Sequence, residues 1–265
     1  MPLQQTSGNV TADAYGGGVA AVPNYIEDVF STYLYAGTGA TQTITNGIDL
    51  STKGGLVWIK GRSGATGNRL TDTARGATLA LVSDTTAGEA TQGSGLSAFG
   101  TTGFTIGSNA SYNTSAATYA SWTFRKQPKF FDIVTYTGTG SATMINHNLG
   151  SVPGMIIYKN LNTANNWCVY HRSISPTQAL FLNLTSAAGT SPDYFGSQTA
   201  TSTQFPIGNN DLTNAGDPYV AYLFAHNAGG FGLTGTDNVI SCGSFTGPNE
   251  TVTLGYEPQW ILYKS

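Results

Sequence analysis

One stretch of this chain is written nearly three times, and that repetition limits what it can fold into. Its middle copy reads Tyr136-Thr137-Gly138-Thr139-Gly140, then a Thr/Ser-rich run, then Pro153-Gly154-Met155-Ile156-Ile157-Tyr158-Lys159. An earlier copy reads Tyr35-Ala36-Gly37-Thr38-Gly39, followed by Gly54-Gly55-Leu56-Val57-Trp58-Ile59-Lys60. A later one reads Phe245-Thr246-Gly247, followed by Pro258-Gln259-Trp260-Ile261-Leu262-Tyr263-Lys264. Each has the same grammar: an aromatic residue closes one strand, a Gly-rich turn follows, and a Thr-rich strand leads to an apolar strand ending on lysine.

The register extends further. Phe104-Thr105-Ile106-Gly107 answers Phe205-Pro206-Ile207-Gly208, Tyr119–Phe124 answers Tyr219–Phe224, and Leu79-Ala80-Leu81 is aligned with Leu180-Phe181-Leu182. The period of about 100 residues is far longer than the roughly 20–50 of solenoids and propellers, so each unit can carry a core of its own. Repeat one spans 32–125, with strands predicted over 32–36, 41–45, 56–60, 79–83, 103–106 and 119–124. Repeat two spans 134–226, with strands over 134–137, 142–147, 155–159, 180–184, 204–207 and 219–225. Residues 126–133 and 227–238 are links, and 239–265 begin a third repeat that stops after its third strand, which implies a longer natural protein. Short strands separated by turns predict an all-β fold of tandem antiparallel β-sandwiches, jelly-roll-like. Both alternating sets of 219–224 are apolar, so that strand is expected to be central and covered on both faces. Links this short suggest units set in a line like beads.

Composition narrows the class. Charged residues make up 9 % of the chain against a usual figure of roughly 25 %, so the surface is solvated by hydroxyls and amides. The 11 % aromatic and 40 % hydrophobic content argues against disorder. A net charge of −3 provides no field for nucleic acid or an anionic membrane. Cys168 and Cys242 sit at non-equivalent positions of different repeats and read as buried thiols outside any disulfide framework. There is no basic-then-apolar leader of a signal peptide and no apolar run long enough to span a membrane.

Residues 1–31 form an N-terminal segment. Its first 23 residues are polar, Gly-rich and aperiodic, and read as an extended arm ordered by a partner. A short helix is predicted next, with Asn24 as cap and Glu27 three residues on. Tyr25, Ile26, Val29 and Phe30 share one face of that helix and either pack it on the first repeat, the favoured reading, or serve as docking residues.

Catalytic chemistry has little to stand on. His147, His171 and His226 show no metal-ligand spacing, and Gly61-Arg62-Ser63-Gly64-Ala65 misses the nucleophile-elbow pattern at its last position. No catalytic residue, metal or cofactor is expected. The loop Gly208–Asp217 carries carboxylates and amides suited to calcium, but its counterpart Gly107–Ala116 has no carboxylate, which favours an Asn/Asp turn. A glycan site would use exposed aromatics beside amides, and Asn165, Asn166, Trp167 and Tyr170 are the candidates; the competing and favoured reading is that Trp167 caps the sandwich core.

The run Met1–Val10 and the stretch Tyr25–Phe30 open a wider pattern. It continues through Trp122-Thr123-Phe124-Arg125-Lys126, His147–Gly154, Val169-Tyr170-His171-Arg172 and Tyr219–His226. Gly229-Gly230-Phe231-Gly232, Cys242-Gly243-Ser244 and Gly255–Trp260 complete it. Together these resemble the tandem-repeat virion proteins of tailed bacteriophages, notably those of marine and cyanobacterial phages. The resemblance implies a tail-fibre-like structural protein located in the virion, its arm docked on other virion proteins. A head fibre or capsid decoration protein and a lectin-like adhesin contacting host-surface glycan are the alternatives. A homo-oligomer, such as a trimer, suits a fibre.

Overall fold

The computed structural model describes residues 22–209, 212–247 and 249–264. Repeat one contributes β1 (Phe30–Ala36), β2 (Gln42–Thr45), β3 (Gly55–Gly61), β4 (Arg69–Asp72), β5 (Leu79–Val82), β6 (Ala90–Thr91), β7 (Leu96–Phe99), β8 (Gly103–Ile106) and β9 (Thr118–Arg125). One turn of helix, α1 (Ala110–Asn113), precedes β9. Repeat two contributes β10 (Phe131–Thr137), β11 (Thr143–Asn146), β12 (Met155–Asn160), β13 (Cys168–His171), β14 (Gln178–Phe181), β15 (Gly189–Thr190), β16 (Gln204–Ile207) and β17 (Pro218–Phe224). Each repeat builds a six-stranded antiparallel sheet in the same order, β1-β9-β3-β4-β5-β6 or β10-β17-β12-β13-β14-β15. A small sheet, β2-β8-β7 or β11-β16, covers one face of it. The fold is all-β and sandwich-like.

The Gly-x-Gly turn has a concrete cause. A Cβ on Gly37 would lie 2.1 Å from the Thr114 carbonyl oxygen, and one on its counterpart Gly138 2.2 Å from that of Asn214. Only glycine lets the first turn pass this close to the loop before the last strand. That loop is latched by a tyrosine: the Tyr119 hydroxyl accepts from the Thr114 N–H at 2.8 Å, and the Tyr219 hydroxyl from the Asn214 N–H at 2.9 Å. The repeated aromatic and glycine positions therefore serve one joint.

The bead arrangement is overturned. Side chains alternate across the central strands: Ala221 and Leu223 of β17 enter the core of repeat two, while Val220, Tyr222 and Phe224 enter a different one. β3 divides likewise, with Val57 and Ile59 in the core of repeat one and Leu56 and Trp58 on the other side. Each small sheet covers only one face, and an exposed apolar sheet face is costly. The two large sheets bury those faces against each other in a third, shared core. Phe124 is its hub, with ring centroids 5.5 Å from Phe131 and 5.5 Å from Phe224. Repeats one and two are one four-layered body.

Two further expectations change. The predicted helix is a three-residue 3-10 turn, Ile26–Asp28, after which the chain extends into β1. Asp28 rather than Glu27 closes the turn, accepting from the Tyr25 N–H at 3.2 Å, and Asn24 does not cap it. Phe30-Ser31-Thr32-Tyr33 suits a strand, and seven register pairs with β9 outweigh the marginal gain of an isolated short helix. The ladders also align Leu79-Ala80-Leu81 with Gln178-Ala179-Leu180, two residues from the sequence alignment. A slip of two keeps every side chain on its face, which is why the pattern did not expose it. Of the arm expected over residues 1–23, all but Val22 and Pro23 lie outside the described residues.

Candidate functional site

The surface between the repeats buries several of the chain's few charges. Asp72, at the end of β4, is fully buried and receives the Arg75 guanidinium at 2.5 Å and the Tyr222 hydroxyl at 2.8 Å. Arg75 also pairs with Glu89 at 2.8 Å and donates to the Leu70 carbonyl at 3.1 Å. Burying an ion pair costs solvation, but every charge here has a partner, and such a network fixes register more than it adds stability. The loop between β5 and β6 supplies acceptors to repeat two. Trp167 donates its indole N–H to the carbonyls of Val82 and Thr85, at 3.2 and 3.1 Å. Lys159, 0 % exposed, donates to the Thr86 carbonyl at 3.0 Å. No carboxylate ion pair is formed by Lys159 among the described residues, and burial pushes its pKa down to about 8.

This seam disposes of two sets of predicted contacts. Val29 and Phe30 lie inside the shared core, so of the four docking candidates only Tyr25 is exposed, at 38 %, and Ile26 partly so. Trp167 is buried against repeat one, and Tyr170 lies in the core of repeat two, its hydroxyl accepting from the Ala200 N–H at 3.4 Å. Asn165 and Asn166 remain half-exposed, and Asn166 accepts from the Asn183 amide at 2.9 Å. The four do not form an aromatic platform. Trp167 is buried, as a core-capping residue would be, but it packs in the shared core and bonds to the neighbouring repeat.

The remaining candidates serve the fold. Each histidine accepts a backbone N–H at Nδ1: His147 from Leu149 at 3.1 Å, His171 from Ser173 at 3.2 Å and His226 from Cys242 at 3.0 Å. Burial lowers the pKa of all three, which keeps that lone pair available. Burial likewise pushes the Cys242 thiol up to about 12, away from reactivity. In the calcium candidate loop, Asp217 accepts from Asn160 at 2.8 Å and from Asn162 at 3.3 Å. These bonds hold its carboxyl below the usual range. The corresponding end of repeat one is an open cleft of about 380 Å³ that Gly61, Ser63, Thr66, Ser111, Ala117 and Thr118 help to line.

Beyond β17 the chain crosses the end of the shared core. Asn24 donates to the Gly230 carbonyl at 3.4 Å, and the Gly232 N–H reaches the Asn24 carbonyl at 2.9 Å, so Asn24 is held against the second link. Residues 239–264 form no strand among the described residues. Val239, Ile240 and Trp260 nevertheless pack on the shared core, Trp260 lying 5.3 Å from Phe124 and 6.2 Å from Trp58.

Residues 26–265 match the family described as a domain of unknown function, DUF7483, and the chain belongs to that family. The match begins at the 3-10 turn and runs through both sandwiches into repeat three. No curated protein and no solved structure matches the chain.

Proposed function

We propose that the protein is a structural component of a tailed-phage virion. In this reading it is a tail fibre or tail appendage. Residues 1–21 dock it on other virion proteins, and the β-layers project from there toward the host. The observation that carries the reading is the shared core. Successive repeats are joined through one face of their large sheets while the other face packs on each repeat's own small sheet, giving a stiff body whose surface is polar but sparsely charged. Stiffness and an inert surface are what a projecting appendage needs. The sequence resemblance to phage tandem-repeat virion proteins points the same way. Asn24 lies against the second link at Gly230, and this reading attaches the arm there.

Cryo-electron microscopy of the intact particle tests this. The β-layered density is expected on the tail; the same density on the capsid would make the protein a head fibre or decoration protein, and its absence from particles would remove the virion reading. Deleting residues 1–21 should abolish incorporation while leaving the unfolding temperature of the purified chain unchanged. Normal incorporation of that variant would end the docking assignment.

A further inference from the structure

The outer ends of the two repeats hold different groups at the same place. Backbone bonds fix the correspondence: Gly37 donates to the Ala117 carbonyl at 2.7 Å, and Gly138 to that of Asp217 at 2.8 Å. Gly61 faces Tyr119 in the β3–β9 ladder as Asn160 faces Tyr219 in the β12–β17 ladder. Ala117 therefore answers Asp217, Gly61 answers Asn160, and two residues on Ser63 answers Asn162.

In repeat two this place holds a carboxylate. Asp217 accepts from the side chains of Asn160 at 2.8 Å, Asn162 at 3.3 Å, Thr163 at 3.4 Å and Asn214 at 3.4 Å. Donors from the loop after β12 and from the loop before β17 converge on it. In repeat one the side chain at that position stops at a methyl group, and the end is the open cleft of about 380 Å³.

The donors of repeat one are present without a carboxylate. Ser63 accepts the Thr118 N–H at 2.9 Å, Thr66 the Gly61 N–H at 2.9 Å and Ser111 an Arg69 N–H at 3.0 Å. A hydroxyl that has accepted one bond still has its own proton to give. None of these three donates to another described residue, all three line the cleft, and no carboxylate lines it. Arg69, bonded to Ser111, has no ion-pair partner among the described residues, and its Nε is buried without an acceptor. Cys168 occupies its position in repeat two, paired with Tyr158 as Arg69 is with Ile59. The cation is thus found at the end whose repeat lacks the acid. That end offers protons and positive charge, with no negative charge of its own.

We infer that this cleft binds a small carboxylate-bearing ligand, an acidic sugar residue, whose carboxylate takes the place that Asp217 fills in repeat two. Ser63, Thr66 and Ser111 donate to it, and Arg69 strengthens the Ser111 bond by its charge. A cleft of this volume takes a whole small molecule, so the ring lies beyond the carboxylate, over Gly61 and Ala117. The assignment is independent of where the protein sits in a particle.

The test titrates sodium D-glucuronate into the isotope-labelled whole chain and follows the amide resonances by NMR. Saturable shifts are expected at residues 61–66 and 110–118, with a Kd of about 0.1–10 mM. Methyl glucoside, a ring without the acid, and acetate, the acid without a ring, should each bind at least about tenfold more weakly. Ala117→Asp gives repeat one the carboxylate of repeat two and should abolish binding. Ser63→Ala and Arg69→Gln should each weaken it about three- to tenfold. Circular dichroism checks that the variants fold; Ser63 is exposed, so its variant decides the matter if Ala117→Asp does not fold. No saturation by ~50 mM, equal affinity for the neutral glucoside, or unchanged affinity in Ser63→Ala and Arg69→Gln would overturn the inference. Undiminished binding by a folded Ala117→Asp would do the same. Equal affinity for acetate would remove the sugar, leaving an adventitious carboxylate only.

Discussion

At the outer end of repeat one, Gly61, Ser63 and Ala117 leave an open cleft. At the corresponding end of repeat two, Asn160, Asn162 and Asp217 fill the same place with hydrogen bonds. Across the shared core the two repeats keep apolar residues at equivalent positions: Phe124 answers Phe224, Leu56 answers Met155, Leu70 answers Val169 and Trp58 answers Ile157. The contrast shows which constraint acts where. Positions held between two sheets must keep their apolar character and their alternation, because each side chain fills space against the neighbouring repeat. Loop positions facing water need only close their own turn, and small residues or an Asp/Asn knot do so equally well.

The largest effect should come from breaking the part the repeats have in common. Phe124→Ala removes the hub of the shared core and should cost about 3–5 kcal/mol. Phe104→Ala, in the private core of repeat one, should cost a similar amount but act locally. Hydrogen exchange separates the two: protection is expected to fall in both repeats for Phe124→Ala and mainly in repeat one for Phe104→Ala. Separate unfolding transitions for the two repeats in the parent chain would contradict the shared core.

A smaller effect, of opposite sign, should follow at a position the repeats share in sequence but not in surroundings. Lys60 is half-buried and Lys159 fully buried. Because burial depresses the folded-state pKa of Lys159 to about 8, below its unfolded value of roughly 10.4, the unfolded chain binds more protons between those limits. Stability should therefore rise as pH increases from 8 toward 10. Lys159→Met should stabilise the protein by about 1–3 kcal/mol at pH 7 and flatten that slope. Denaturant titrations at three pH values measure both; Lys60→Met should do neither.

The smallest effect concerns the outer ends. Hydrogen bonds from Asn160 and Asn162 depress the pKa of Asp217, so its contribution is present above the ordinary carboxylate value and lost as pH falls through the lower folded one. Asp217→Ala should loosen residues 160–163 in hydrogen exchange at neutral pH, with no change in the unfolding temperature beyond ~2 °C. The difference from the parent chain should vanish in acid. A loop unaffected at neutral pH would show that the knot does not order that end.

Much of this architecture was legible because the repeat could be read against itself. The strands predicted from it correspond to β1, β2, β3, β5, β8 and β9 and to their counterparts in repeat two. β4 escaped because Arg69-Leu70-Thr71-Asp72 is short and holds Thr71 and Asp72 at buried positions, and β13 because Cys168-Val169-Tyr170-His171 is short. β6 and β15, two residues each, carry no periodicity at all. The doubly apolar strand 219–224 already signalled a second covered face. The bead reading missed what covers it, since one unit's pattern says that a face is buried but not against what. The contact candidacies of Val29, Phe30 and Trp167 fall for the same reason: the shared core conceals all three.

The grip of each repeat on its predecessor has a consequence for how the chain is made. The carbonyls of Val82, Thr85 and Thr86 leave the ribosome well before Lys159 and Trp167 that bind them, and Leu184 well before Lys264. Every newly synthesised unit therefore meets a finished receptor on the one already folded. Assembly can proceed vectorially, each unit serving as the template on which the next one sets.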